Sequence, residues 1–124
     1  MVLLTEILAQ EKSESETIAI AYIAGLMDGE GNIHFQKRGD IVEITIDNTN
    51  CECLNFIRDF FKFGRITARE GQAKILYRFR VYSLNETRIF LETVMPYLIV
   101  KKSEAIAAID FLRANSWRAR GAYK

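Results

Sequence analysis

Residues Ala19–Ile33 read AIAYIAGLMDGEGNI. From Ile18 to Met27, ten apolar or glycine residues run unbroken and then meet Asp28-Gly29-Glu30-Gly31. A helix that is apolar all round is buried all round. This run is too short to span a bilayer, which needs roughly 20 apolar residues. It predicts a helix from about Thr17 to Asp28, held between two layers of protein, with acids at its C-terminal end. Gly29 and Gly31 are expected to stop it, because glycine takes a left-handed turn without steric cost.

Upstream, residues 1–10 suit a short helix, and Glu11 to Glu16 reads as a polar break in which Ser13 and Glu16 have capping-box spacing. Downstream the period switches from helical to two. Ile33 and Phe35 alternate with Asn32, His34, Gln36 and Arg38, and Val42, Ile44 and Ile46 alternate with Glu43, Thr45 and Asp47. Two half-buried strands joined by a turn at Lys37 to Asp40 follow. Thr49 and Glu52 then have capping-box spacing ahead of a helix with Leu54, Ile57 and Phe61 on one face, ending at Gly64. Arg65, Thr67 and Arg69 alternate with Ile66 and Ala68 in a third strand. Ile75, Tyr77, Phe79 and Val81 alternate with Lys74, Leu76, Arg78 and Arg80 in a fourth. Ser83 and Glu86 open a helix that Pro96 ends. Ser103 to Asn115 is a last helix, with Ile106, Ile109 and Phe111-Leu112 as its apolar face.

A chain of 124 residues with 49% hydrophobic and 11% aromatic residues is read as one globular domain, 1–124. Residues 1–16 form an N-terminal extension, and 116–124 a basic aromatic tail with Trp117, Arg118, Arg120, Tyr123 and Lys124. No basic region precedes an apolar core at the N-terminus, so neither a secretory signal nor a membrane partner is expected. Cys51 and Cys53 are two apart and cannot pair on a helix, and with one histidine and no CxxC there is no zinc pattern. The net charge of +1 hides an asymmetry. Residues 1–31 carry six acids and one base, and residues 32–124 carry 16 bases and 10 acids. A basic body suggests a polyanionic partner.

The strand faces sharpen that suggestion. One face of the sheet is apolar. The other displays Asn32, His34, Gln36, Arg38, Glu43, Thr45, Arg65, Thr67, Arg69, Lys74, Arg78 and Arg80. Arginines and amides are the side chains that read base edges in a major groove, whereas a merely solvated face, the alternative, more often mixes acids and bases evenly.

Asp28-Gly29-Glu30-Gly31, taken alone, is a glycine cap with solvated acids. A calcium loop fails: Asp28, Glu30 and Asn32 have its first ligand spacings, but Ile33 takes the glycine position and Gly39 the closing glutamate position. The full string Ile23-Ala24-Gly25-Leu26-Met27-Asp28-Gly29-Glu30-Gly31 resembles the signature nonapeptide of the LAGLIDADG homing endonucleases. It departs at the first, fifth, seventh and eighth positions, each mildly. The order of elements is that family's αββαββα unit, so the expected fold is α+β, with an antiparallel sheet forming a DNA-binding saddle.

The resemblance implies a function and its residues. Single-motif members are homodimers whose motif helices pair at a two-fold axis, which places Ala21, Ala24, Gly25 and Asp28 at the seam. They hydrolyse phosphodiesters on both strands of a long pseudo-palindromic DNA site, with Mg²⁺ or Mn²⁺ and no small-molecule cofactor. The eighth-position acid, Glu30, and the carbonyl of Gly29 would hold the metal. Lys101, after Pro96-Tyr97-Leu98, would reach the scissile phosphate, with Lys102 as competitor. Asp47, with Asn48 as competitor, would hold an active-site water and join Glu30 and Lys101 in catalysis. The site of action would be intracellular, with the DNA. The alternative is a non-cleaving binder of the same fold, an intron RNA maturase or a DNA-binding regulator.

Overall fold

The structure is a computed structural model that describes residues 4–36, 41–71 and 73–115, with side chains from residue 14 onward. In chain order the elements are α1 (Leu4–Glu30), β1 (Gly31–Gln36), β2 (Ile41–Asn48), α2 (Cys51–Phe61), β3 (Arg65–Glu70), β4 (Ile75–Val81), α3 (Leu84–Val94), a 3₁₀ turn (Met95–Tyr97) and α4 (Lys102–Ala114). The four strands form one antiparallel sheet in the order β1-β2-β4-β3. Helices cover one face only, and the expected α+β architecture is what the chain adopts.

Helix α1 corrects the expected break. It is continuous for 27 residues, because the polar Glu11–Glu16 stretch contains neither glycine nor proline and costs a helix little. The glycines do not stop it either. Helix runs through Gly29 to Glu30, and neither Gly29 nor Gly31 has a positive φ. Gly31 is needed for closeness instead: a Cβ there would lie 2.3 Å from the Met27 sulfur.

The capping residues were half legible. Ser83 caps α3, accepting a bond from the Glu86 N–H, and Pro96 lies in the 3₁₀ turn that follows the helix. For α2 the cap is Asn50 rather than Thr49; its Oδ1 accepts from the N–H groups of Glu52 and Cys53 at 2.8 and 3.2 Å. That helix ends at Lys62, which takes the left-handed conformation. Gly64 follows with φ +100°, where a Cβ would strike the Phe79 ring.

The core lies between the covered sheet face and the helices. Phe79, Ile44 and Ile46 from the strands meet Ile23, Met27, Leu54 and Phe90 from the helices, all fully buried. On α4 the buried positions are Ala105, Ala108, Ile109 and Leu112, so Ile106 faces outward against expectation. The two alanines define that face but carry too little hydropathy to mark it. No helix among the described residues is long and apolar enough to cross a membrane.

Candidate active site and nucleic-acid interface

The open face of the sheet is set by register. Asn32, Thr45, Arg80 and Arg65 form one row across the four strands. Asp47, Arg78 and Thr67 form the next, and His34 opposes Glu43. Alternation therefore placed these side chains correctly. Gln36 and Arg69 share the face, while Lys74 is exposed in the β3–β4 connection just before the strand. Arg38 lies outside the described residues, as does the basic aromatic tail.

Depth was not legible. Glu43 and Thr45 expose only 9% and 5% of their surface. They lie on the inner strand β2, beneath long side chains from β4, and are not themselves available to a base edge. Arg80 donates from Nε to Glu43, and its guanidinium stands 5.0 Å from the centre of the Tyr82 ring.

Asp47 is the second carboxylate under an arginine. Arg78 grips it with two bonds, Nε to Oδ1 at 2.7 Å and Nη2 to Oδ2 at 2.9 Å. The Arg78 bond holds the Asp47 carboxyl below its ordinary pKa against the cost of burial, and the charges of Arg78 and Arg69 assist. The carboxylate expected to hold a water is thus engaged by Arg78 in the free chain. Its competitor Asn48 is occupied in the turn before α2, where its Oδ1 accepts from the Asn50 N–H at 2.8 Å.

At the end of α1 the chain brings distant residues together. The Asp28 carboxylate accepts bonds from the backbone N–H groups of Ile99, Val100 and Lys101 at 2.7, 3.2 and 3.0 Å. In return Lys101 Nζ donates to the Asp28 carbonyl at 2.8 Å. Each helix dipole gains a counter-charge: an acid at the start of α4 and a base at the end of α1. Burial is the largest single influence on the Asp28 carboxyl and pushes its pKa up. The three N–H bonds and the Lys101 charge outweigh it, so the net shift is downward. Asp28 is therefore tied within its own chain, to the segment that leads into α4.

Glu30, the last residue of α1, is exposed, and Gly29 is exposed beside it. The final carbonyls of a helix lack intrahelical partners, so Gly29 can offer an oxygen next to the Glu30 carboxylate. Lys101 stands within a turn of both through its bond to Asp28; Lys102, by contrast, is exposed in the first turn of α4. Gly31 pairs with Ile46, so Glu30 and Asp47 occupy the same end of the β1–β2 ladder. The Cys53 thiol is pushed up in pKa, chiefly by burial, with the charges of Cys51 and nearby Glu30 adding to it.

The outer side of α1 is bare. Ile18 and Tyr22 are 71% and 49% exposed, Ala21 is exposed, and a Cβ on Gly25 or Gly29 would meet nothing within 4 Å. Ala24, expected beside them, is fully buried in the core and gives nothing to this side. Between α1 and α2 the bare face continues into a groove of about 620 Å³ lined by Ile18, Tyr22, Leu26 and Phe56 among others.

Residues 23–113 match the family of LAGLIDADG endonucleases. The chain belongs to that family. Among curated proteins none matches it. Solved LAGLIDADG structures share its fold. I-CvuI, solved in complex with its target in the presence of calcium, is 21% identical, with a TM-score of 0.64 over 77% of this chain and 66% of its own. The archaeal intron-encoded homing endonuclease I-Vdi141I, complexed with DNA, is 26% identical, with a TM-score of 0.61 over 79% of this chain and 69% of its own. I-SmaMI bound to cleaved DNA matches at 17% identity and a TM-score of 0.61, with only 37% of its chain covered.

Proposed function

We propose that this LAGLIDADG chain is a site-specific homing endonuclease. Two copies would act together on a long pseudo-palindromic DNA duplex inside the cell, cutting both strands. The observation that carries this reading is the convergence of Glu30 and Lys101 at one end of a polar sheet face, although the sequence separates them widely. The DNA complexes of I-CvuI and I-Vdi141I support it.

Glu30 and the Gly29 carbonyl are hard oxygen donors of the kind that Mg²⁺ or Mn²⁺ takes. Among the described residues no three His, Cys, Asp or Glu side chains cluster. Water, a DNA phosphate and Glu30 of the second copy would therefore complete the coordination. When bound, the ion supplies an acidified water and charge neutralisation at the attacked phosphate. Lys101, held two residues from Glu30 by the Asp28 carbonyl, would turn its remaining N–H donors to the phosphate oxygens. Asp28 positions Lys101. Asp47 positions Arg78.

The second copy is favoured by the bare face of α1. Ile18, Ala21, Tyr22, Gly25 and Gly29 recur at the spacing of one helix face, and small residues there allow two backbones to approach. Glu30→Gln keeps the shape and removes the charge. It is expected to abolish Mg²⁺-dependent cleavage of duplexes selected from a randomised pool while leaving binding largely intact. Comparable cleavage by the variant would refute the assignment. A parent protein that selects duplexes but never cuts them would be the non-cleaving binder instead.

A further inference from the structure

The cations of the open sheet face fall into two groups. Arg78 and Arg80 each rest on a carboxylate of the neighbouring strand β2. Arg65, Arg69 and Lys74 have no ion pair among the described residues. We propose that Asp47 and Glu43 are positioning residues for sequence specificity. They hold Arg78 and Arg80 as readers of base edges and leave phosphate attraction to Arg65, Arg69 and Lys74. This rests on the DNA-binding reading above and says which residues discriminate among sites.

The geometry is that of a reader on a fixed base. The two arginine side chains are each 46% exposed, and their carboxylates lie beneath them at 31% and 11%. In each pair the acid is the less exposed partner. Asp47 takes the Nε–Nη2 edge of Arg78. The other end of the guanidinium remains as a fork, the shape that matches guanine O6 and N7. Arg80 is constrained twice, by Glu43 at its edge and by the Tyr82 ring against its face. Ordering a long side chain before binding removes that entropy cost from the binding step.

Charge points the same way. An arginine paired with a carboxylate is nearly neutral as a unit and releases few counterions on reaching DNA. Arg65 stands directly across from Arg80 in the β3–β4 ladder. Like charges so placed repel, and Glu43 relieves that repulsion while Arg65 keeps its full charge. The Arg78–Asp47 pair is the more exposed of the two and adds little to stability, whereas Glu43 is buried and its pairing with Arg80 also keeps a buried charge from standing alone.

The test is binding by the full chain in EDTA, so that no strand is cut. The probes are a duplex that the parent selects from a randomised pool, its single-base variants, and poly(dI-dC) as a non-specific duplex. Asp47→Asn and Glu43→Gln are each expected to weaken base preference about tenfold at one pair of mirrored positions. Each should also steepen the dependence of log affinity on log salt, by about one for every arginine charge released. Binding to poly(dI-dC) should tighten. Arg78→Lys, which keeps charge but loses the fork, should lose the preference and retain affinity. Arg65→Ala should flatten the salt dependence and leave preference intact. Thermal melting identifies any variant that fails to fold, and two independent pairs keep the test open. If the parent selects duplexes but neither acid variant changes preference or salt dependence, this proposal fails alone. If the parent shows no salt-dependent DNA affinity, the DNA-binding reading fails with it.

Discussion

Asp28 and Lys101 illustrate how single residues connect stability to the site. The Asp28 carboxyl has a pKa below its ordinary value of 3.8. A group depressed on folding stabilises the fold fully above its unfolded pKa, and the contribution fades as pH falls through the lower folded value. Asp28→Asn should therefore cost about 1 kcal/mol at pH 7, discounted for solvent exposure. Urea unfolding would show that difference shrinking below about pH 4. An equal difference at pH 7 and pH 3 would mean that the charge is not what matters. Lys101→Met should slow cleavage about 10²- to 10³-fold, the usual cost of one lost donor to a developing oxyanion. DNA affinity should change far less. A cleavage rate within twofold of the parent would move the phosphate contact elsewhere.

At the scale of the element, α1 has two faces with opposite tolerances. Gly25 opens onto empty space within one chain, whereas Gly31 is pressed against Met27. Gly25→Leu should fold, since leucine is the better helix former by up to about 1 kcal/mol. It should sediment as a monomer, because the added side chain has no room between two close helices. Gly31→Ala should cost about 1–3 kcal/mol whatever the oligomeric state, as overpacking does. Sedimentation of the parent as a clean monomer, with and without DNA, would remove the two-copy reading. The sheet is likewise two-sided. Its helix-covered face holds the core, and its open face carries arginines supported from β2.

For the whole molecule, two-fold pairing of α1 would bring both copies of Glu30 near one axis and set the two open sheets along one duplex. Sites recovered by cleavage of a randomised pool should then be related by a two-fold axis, and each base preference should appear twice. A single asymmetric consensus would contradict that arrangement. Affinity should fall steeply with salt, roughly 0.9 in log units per phosphate neutralised. Arg65, Arg69 and Lys74, the open-face cations with no ion pair among the described residues, set the expected scale of that slope.

The nonapeptide at Ile23–Gly31, the order of elements and the alternation of the strands are local properties, and the sequence alone determined them. A period of two assigns every strand residue to a face without knowledge of its neighbours. Ser83 and Pro96 likewise act within a few residues of themselves. What tertiary structure decided is everything that depends on which segments meet. Strand order β1-β2-β4-β3 places Asp47 across from Arg78, and it buries Glu43 and Thr45 under β4. Docking of the 3₁₀ turn and residues 98–101 against the end of α1 gives Asp28 its three N–H partners and brings Lys101 to Glu30's side. Ala24 and Ala21 are alike in sequence, yet one packs in the core and the other faces outward. A small side chain carries no signal of its direction, and only the elements packed around it settle which way it points.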